Sequence, residues 1–417
     1  MVASTDIKFY VHTNNNAPQL QNAYGSMIGV LDACLIDGIQ IGVVSSLTAS
    51  DTTVTATFGA AHNLMQYQVI KIVGANQAEY NVEARILTVP NATTITFELA
   101  AVPSVATATG TISASLPPLG WEKPFSSTSG TGGKAAYRSK NTLLPSRPFL
   151  RVVDELDPAY TATYAKYAKV GIVEDMTDID TMLNQAPFST ANPDKNWVGT
   201  GSGTSVINGW ARWYYARSSD INTQSSDSDA PANGDRSWLI VGDSDNFYIM
   251  PSVASGADKA LIYGFGKLEK LIENDEINYF LSATMYESAA STTAYRTIST
   301  PLSSTGSSDL CILRNQKQEA LPVFSKTISA AVAATVNSGY SNYIALTTPV
   351  LNAGIIAIDT NNAIRGSVPH IRWLFNSMPF QDKEISIDKN EIFIAKNTSY
   401  GNVANLQILI KIGELYD

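Results

Sequence analysis

Cysteine is nearly missing from this sequence: Cys34 and Cys311 are two in 417 residues, with no CxxC pair and no Cys/His cluster. That excludes a disulfide framework and a thiolate zinc site, and both thiols are expected to be reduced and buried. Histidine is almost as scarce. His12, His62 and His370 stand far apart, and without a GxSxG turn they supply no nucleophile and base set. Charged residues reach only 16%, against roughly 25% in ordinary soluble domains. Ser, Thr, Asn and Ala fill the deficit, which suits surfaces packed inside an assembly. The 28 Lys and Arg against 37 Asp and Glu give a net charge of -9 with no basic block, a balance unsuited to wrapping nucleic acid. No apolar run approaches the roughly 20 residues that cross a bilayer as a helix. The opening Met1-Val2-Ala3-Ser4-Thr5-Asp6 lacks a basic region followed by an apolar core. No membrane insertion, and synthesis in the cytosol, are therefore expected.

What is present is alternation. Val54, Ala56 and Phe58 alternate with Thr53, Thr55 and Thr57, and Ile95, Phe97 and Leu99 with Thr94, Thr96 and Glu98, the mark of strands with one buried face. Tyr67 to Val73 and Arg85 to Val89 are short runs rich in β-branched residues between them, with Gly74, Asn76, Pro90-Asn91 and Pro103 at the joints. Residues 46–115 thus read as a small antiparallel β module inserted into a larger domain.

Before it, Asp6 to Val11 reads as a strand. Met27, Ile28, Leu31, Cys34 and Leu35 share a helical stripe that Gly38 is placed to end. After it, the spacing predicts strands at Lys134 to Arg138, Phe149 to Val153 and Lys166 to Glu174. A hairpin is predicted at Ser237 to Met250 around Gly242-Asp243-Ser244-Asp245. Leu268, Leu271 and Ile272 fit a short helix or a strand. Ile385 and Ile387, Ile392 and Ile394, then Leu406 to Ile412 alternate as three closing strands. The fold class expected is mainly β: antiparallel sandwich or barrel-like domains with one or two short helices. Residues 1–45 plus 116–300 would form a main β-rich domain, and 301–417 a C-terminal one. The Ser/Thr/Gly stretch Ser126 to Gly133 and the Ser/Asp stretch Ser218 to Asp229 read as loops too poor in apolar side chains to become ordered within one chain.

Few residues suggest chemistry. Asp154, Glu155 and Asp157 crowd together as a glycosidase pair would, though acids beside Pro158 also make a solvated turn, the reading preferred here. Glu174 to Asp180 could hold calcium, but it lacks the glycine and terminal glutamate of an EF-hand loop and reads as solvated. Gly199 to Gly203 matches no dinucleotide fingerprint, and Gly130 to Lys134 no phosphate loop. No catalytic, cofactor or metal residue is therefore assigned. Trp197, Trp210, Trp213 and Tyr214 are the possible interface or glycan contacts, since exposed aromatics stack on sugars and dominate interfaces. Burial in the core is their competing, and favoured, reading.

Several stretches in a shared order resemble virion structural proteins of tailed bacteriophages. They are Thr5-Asp6-Ile7-Lys8-Phe9-Tyr10, Leu31-Asp32-Ala33-Cys34-Leu35, Gly120-Trp121-Glu122-Lys123-Pro124-Phe125 and Ala136-Tyr137-Arg138. Arg236 to Asp243 with Phe247-Tyr248, Tyr263-Gly264-Phe265-Gly266 and Arg365-Gly366-Ser367-Val368-Pro369 follow. Residues 46–115 resemble a β domain found in many phage structural proteins, through Ala61-His62-Asn63-Leu64, Val69-Ile70-Lys71-Ile72 and Tyr80-Asn81. One departure is His370, where the group carries glycine after the proline.

The resemblance implies a non-enzymatic building block of the virion in the tail or baseplate region. Its partners would be other virion proteins and further copies of itself, with no cofactor. A capsid-attached decoration or head-fibre protein, and a receptor- or glycan-binding tail protein, are the alternatives. The absence of β-helix repeats argues against a depolymerase.

Overall fold

The computed structural model describes residues 3–188, 191, 194, 196–202, 206, 208–219, 227–273, 278–285, 300–302, 309–315, 317–320, 327–330, 349–359, 363–376, 378–400 and 403–415. Strand β1 (Lys8–Val11) leads through a polar loop to helix α1 (Ser26–Asp32), which widens into one further turn over Ala33–Asp37. Gly38 ends it at φ 78°, and a Cβ there would sit 2.7 Å from the carbonyl oxygen of Leu116, so only glycine fits the stop. Six strands follow: β2 (Ile39–Ser50), β3 (Thr53–Phe58), β4 (Val69–Ala75), β5 (Glu83–Asn91), β6 (Thr94–Glu98) and β7 (Gly110–Leu116). They close into a barrel in the order β2-β3-β6-β5-β4-β7. Val54, Ala56, Ile95 and Phe97 are buried while the intervening threonines are exposed or half-buried, as the alternation predicts.

A second sheet takes β8 (Trp121–Ser129), β9 (Gly132–Ser139), β10 (Phe149–Glu155), β11 (Lys166–Met176), β12 (Met182–Ala186) and β13 (Ala211–Ala216). The chain then enters the third sheet through β14 (Trp238–Gly242), β15 (Asn246–Pro251), β16 (Tyr263–Lys267) and β17 (Tyr279–Ser282), before β18 (Thr284–Met285) returns to the second at its edge beside β13. The third sheet continues with β19 (Asp309–Ile312), β20 (Thr327–Ala330), β21 (Asn352–Asp359), β22 (Ile364–Leu374), β23 (Ile385–Asp388), β24 (Glu391–Tyr400) and β25 (Val403–Glu414). Its twelve strands run β1-β14-β15-β16-β17-β19-β20-β21-β22-β25-β24-β23. The molecule is mainly β, and its sheets are antiparallel.

Alternation explains the layering. In β14, Trp238 and Ile240 join one core with Trp213 and Tyr137 of the second sheet. Leu239 and Val241 join another with Ile394, Ile408 and Ile410 from the far end of their own sheet. A strand buried on both faces reads as a continuous apolar run, which is why Trp238-Leu239-Ile240-Val241 shows no polar partner positions.

The structure corrects several expectations. Residue 300 divides nothing, because β19 to β25 extend the sheet begun by β1 and β14 to β17, so 301–417 is not a separate β-rich domain. The barrel is wider than 46–115: Ile39 pairs with Leu116 and Gln40 with Ser115. Ser126 to Gly133 is a hairpin rather than a loop, with Ser126 opposite Ala135 and Ser129 opposite Gly132. Its order comes from backbone hydrogen bonds to a neighbouring strand of the same chain. Pro90-Asn91 ends β5 rather than turning, and the reversal falls between Asn91 and Thr94. The 268–272 stretch forms no helix; Leu268 is buried while Leu271 and Ile272 are exposed. The 237–250 hairpin and the three closing strands match their patterns. Of Ser218 to Asp229, residues 220–226 lie outside the described residues.

Candidate functional site

Strand β10 carries opposite chemistry on its two faces because successive side chains point opposite ways. Asp154 faces α1 and is fully buried. One carboxylate oxygen accepts from the Met27 backbone N–H at 3.0 Å and from that of Ile28 at 3.3 Å, and the other accepts from the Tyr215 hydroxyl at 2.6 Å. The helix has no side-chain cap of its own, so a distant strand caps it. Burial pushes the Asp154 carboxyl up to about 6, against the pull of these hydrogen bonds. The expected solvated turn is thus corrected at Asp154, and equally at Asp157, which is 5% exposed.

The other face of β10 floors a cleft of about 420 Å³. Lys134 of β9 and Lys169 of β11 flank Val153, one on each side, and Arg151 lies one row further along. Lys169 Nζ donates to Asp157 at 2.7 Å and to the Trp197 carbonyl at 2.7 Å. Burial works to raise the Asp157 carboxyl, but the Lys169 ammonium together with hydrogen bonds from the Ala159 N–H and the Asn208 side chain holds the group below the usual range. Arg151 donates to the Ile179 carbonyl at 2.7 Å and to Asp180 at 2.6 Å. Its guanidinium lies 4.5 Å from the Trp197 ring centroid. The side chain is only 3% exposed, and among the described residues its buried Nη1 has no hydrogen-bond partner. Gly171 permits this stack, since a Cβ there would lie 2.7 Å from Trp197 Cζ2. Glu155, Asp180 and Asp194 supply carboxylates around the opening, with Pro158, Met182 and Val198 as its apolar lining.

Of the four aromatic residues singled out from sequence, Trp197 alone reaches this cleft. Contact roles for Trp210, Trp213 and Tyr214 are corrected to the core, where all three are buried. The Trp213 indole N–H donates to the Ser282 carbonyl at 2.9 Å and its ring stacks on Tyr263. The Tyr214 hydroxyl donates to Asp227 at 2.8 Å. Trp213 and Tyr214 stand on β13, an inner strand of the second sheet flanked by β11 and β18, and Trp210 directly precedes it.

The 174–180 stretch is no open loop throughout. Glu174 lies in β11 and pairs with Arg314, and Asp178 ties its own turn by accepting from the N–H groups of Asp180 and Thr181. Among the described residues, no group of three His, Cys, Asp or Glu is placed to hold a metal. Gly199 donates its N–H to Asp157 at 3.0 Å; residues 203–205 are outside the described ones. Both cysteines are free and buried, and burial pushes the Cys311 thiol up to about 12, leaving it protonated. Lys134, Arg151 and Lys169 were missed by sequence reasoning. The available signal was a cation set inside apolar strand runs, as in Phe149-Leu150-Arg151-Val152-Val153.

Several of the stretches singled out from the sequence meet elsewhere. Trp121 packs edge-on against Phe247, with centroids 5.2 Å apart, and lies beside Phe265. Its indole N–H donates to the Asp243 carbonyl at 2.8 Å. His370 Nε2 meets the Asp243 carboxylate at 2.8 Å, and the Tyr248 hydroxyl donates to the Pro369 carbonyl at 2.6 Å. His370 has φ 64°, at a register shift of β22 against β21, which is the conformation glycine would take without strain. This node joins β8, β14 to β16 and β22 and is a structural tie. No protein-family model matches the chain, and no curated protein matches it either.

Proposed function

We propose that the chain is a non-enzymatic structural component of a tailed-bacteriophage virion, tail- or baseplate-associated, that acts by protein–protein assembly. The observation that carries the assembly reading lies on the barrel wall. Val43 of β2 and Val73 of β4 both pair with Ser113 of β7, and they are 66% and 41% exposed. Apolar side chains on either side of Ser113, on a wall exposed among the described residues, suit a surface that a neighbour buries. The phage assignment rests on the ordered stretches that resemble virion proteins, and their meeting at the Trp121–Asp243–His370 node gives a structural reason for them to occur together. The acids that could have suggested hydrolysis serve as ties instead: Asp154 caps α1 and Asp157 holds Lys169.

The test is incorporation. A tagged copy supplied during phage growth should appear in purified particles, and cryo-electron microscopy should place it in the tail or baseplate. The double variant Val43→Asp with Val73→Asp should fold normally, by circular dichroism, yet be left out of particles. Particles lacking the wild-type chain, or full incorporation of the double variant, would refute the respective halves of the proposal.

A further inference from the structure

We infer that the cleft over β9, β10 and β11 binds a neutral hydroxyl-rich ligand of small size, a saccharide unit. Its volume, about 420 Å³, falls in the range of roughly 300–1,000 Å³ for small-molecule sites. The wall chemistry selects the class. Lys134, Arg151 and Lys169 face Glu155, Asp157, Asp180 and Asp194 in one space, so a free anion meets carboxylates and a free cation meets ammonium and guanidinium groups. A hydroxyl both donates and accepts and can use either kind of wall. One face of the Trp197 ring is taken by Arg151, so the apolar face of a pyranose is matched to Val198, 55% exposed at the opening, together with Pro158 and Met182. This inference does not depend on the virion assignment.

The test uses the full chain and ligand-observed NMR with methyl glycosides of glucose, galactose and mannose, with glucuronate and glucosamine as charged comparators. At least one neutral glycoside should bind, and both charged sugars should bind more weakly. Glu155→Gln and Asp194→Asn, both outside the buried core, should each weaken that binding by about tenfold while leaving the melting temperature unchanged. Three outcomes would overturn the inference: no binding by any neutral glycoside, tighter binding of glucuronate or glucosamine, or binding that neither carboxylate variant alters.

Discussion

At the scale of single residues, the molecule places charge where burial makes it expensive and then surrounds it with partners. Asp154 shows the consequence for pH. Its folded-state value of about 6 lies above the roughly 3.9 of an unfolded aspartate, so the folded state holds the proton more tightly. Its contribution is therefore fully present below the unfolded value and is lost as pH rises through about 6, by an amount on the order of 2–3 kcal/mol. Asp154→Asn keeps an acceptor for the Met27 and Ile28 N–H groups but cannot titrate. The stability of the wild type minus that of Asp154→Asn, from urea unfolding, should fall between about pH 4 and pH 7. A flat difference would show that Asp154 does not titrate in this window. His370 offers a second measurement, because it combines a positive φ with a hydrogen bond to Asp243. His370→Ala loses the bond and keeps the backbone strain, whereas His370→Gly loses the bond and relieves the strain. The glycine variant should be the more stable of the two by about 1 kcal/mol; equal stabilities would mean that the left-handed backbone there costs nothing.

At the scale of elements, the barrel has its own closed strand order and is fastened to the rest by Arg85. That side chain donates to the carbonyls of Ser4, Tyr67, Ile7 and Ile412, uniting the barrel with both ends of the chain. A fragment covering 39–116 should melt cooperatively with β-type circular dichroism. A fragment covering 46–115 should not, because it removes the segment that pairs Ile39 to Val43 with β7. Equal cooperativity in both would show that this pairing adds nothing to the barrel. The difference also marks what was legible in the sequence. Strands with one wet face announce themselves, as Thr53 to Phe58 does. The start of β2 does not, since Gly42 interrupts Ile39-Gln40-Ile41 and the run resembles a linker after a helix. Ser126 to Ser129 was misread for a related reason: its stability comes from pairing with β9, and no local pattern encodes that partner. The cleft was equally hidden, because Lys134, Arg151 and Lys169 become neighbours only through strand register.

At the scale of the whole molecule, the twelve-stranded sheet joins β1 near the N-terminus and β14 to β17 with β19 to β25 in one hydrogen-bonded order, a long-range continuity that composition shifts could not reveal. Phe9, Val11, Leu239, Val241, Tyr248, Met250 and Phe280 share one core with Ile371, Trp373, Ile394, Ile408, Ile410 and Ile412. Truncation after residue 300 would strip the second group from the first and leave β17 without its β19 neighbour. Burying one large apolar side chain is worth about 1.5–3 kcal/mol. Uncovering these seven even in part removes an amount comparable with the roughly 5–15 kcal/mol that holds a typical domain together. The 1–300 fragment should therefore be insoluble, or soluble only in a loosened state that binds hydrophobic dyes and has lost its near-ultraviolet circular dichroism. Full-length protein should show neither property. A soluble, monomeric 1–300 fragment with a native-like aromatic signal would mean that β1 and β14 to β17 with the second sheet suffice as a folding unit, and that the C-terminal strands are an addition to it rather than half of its core.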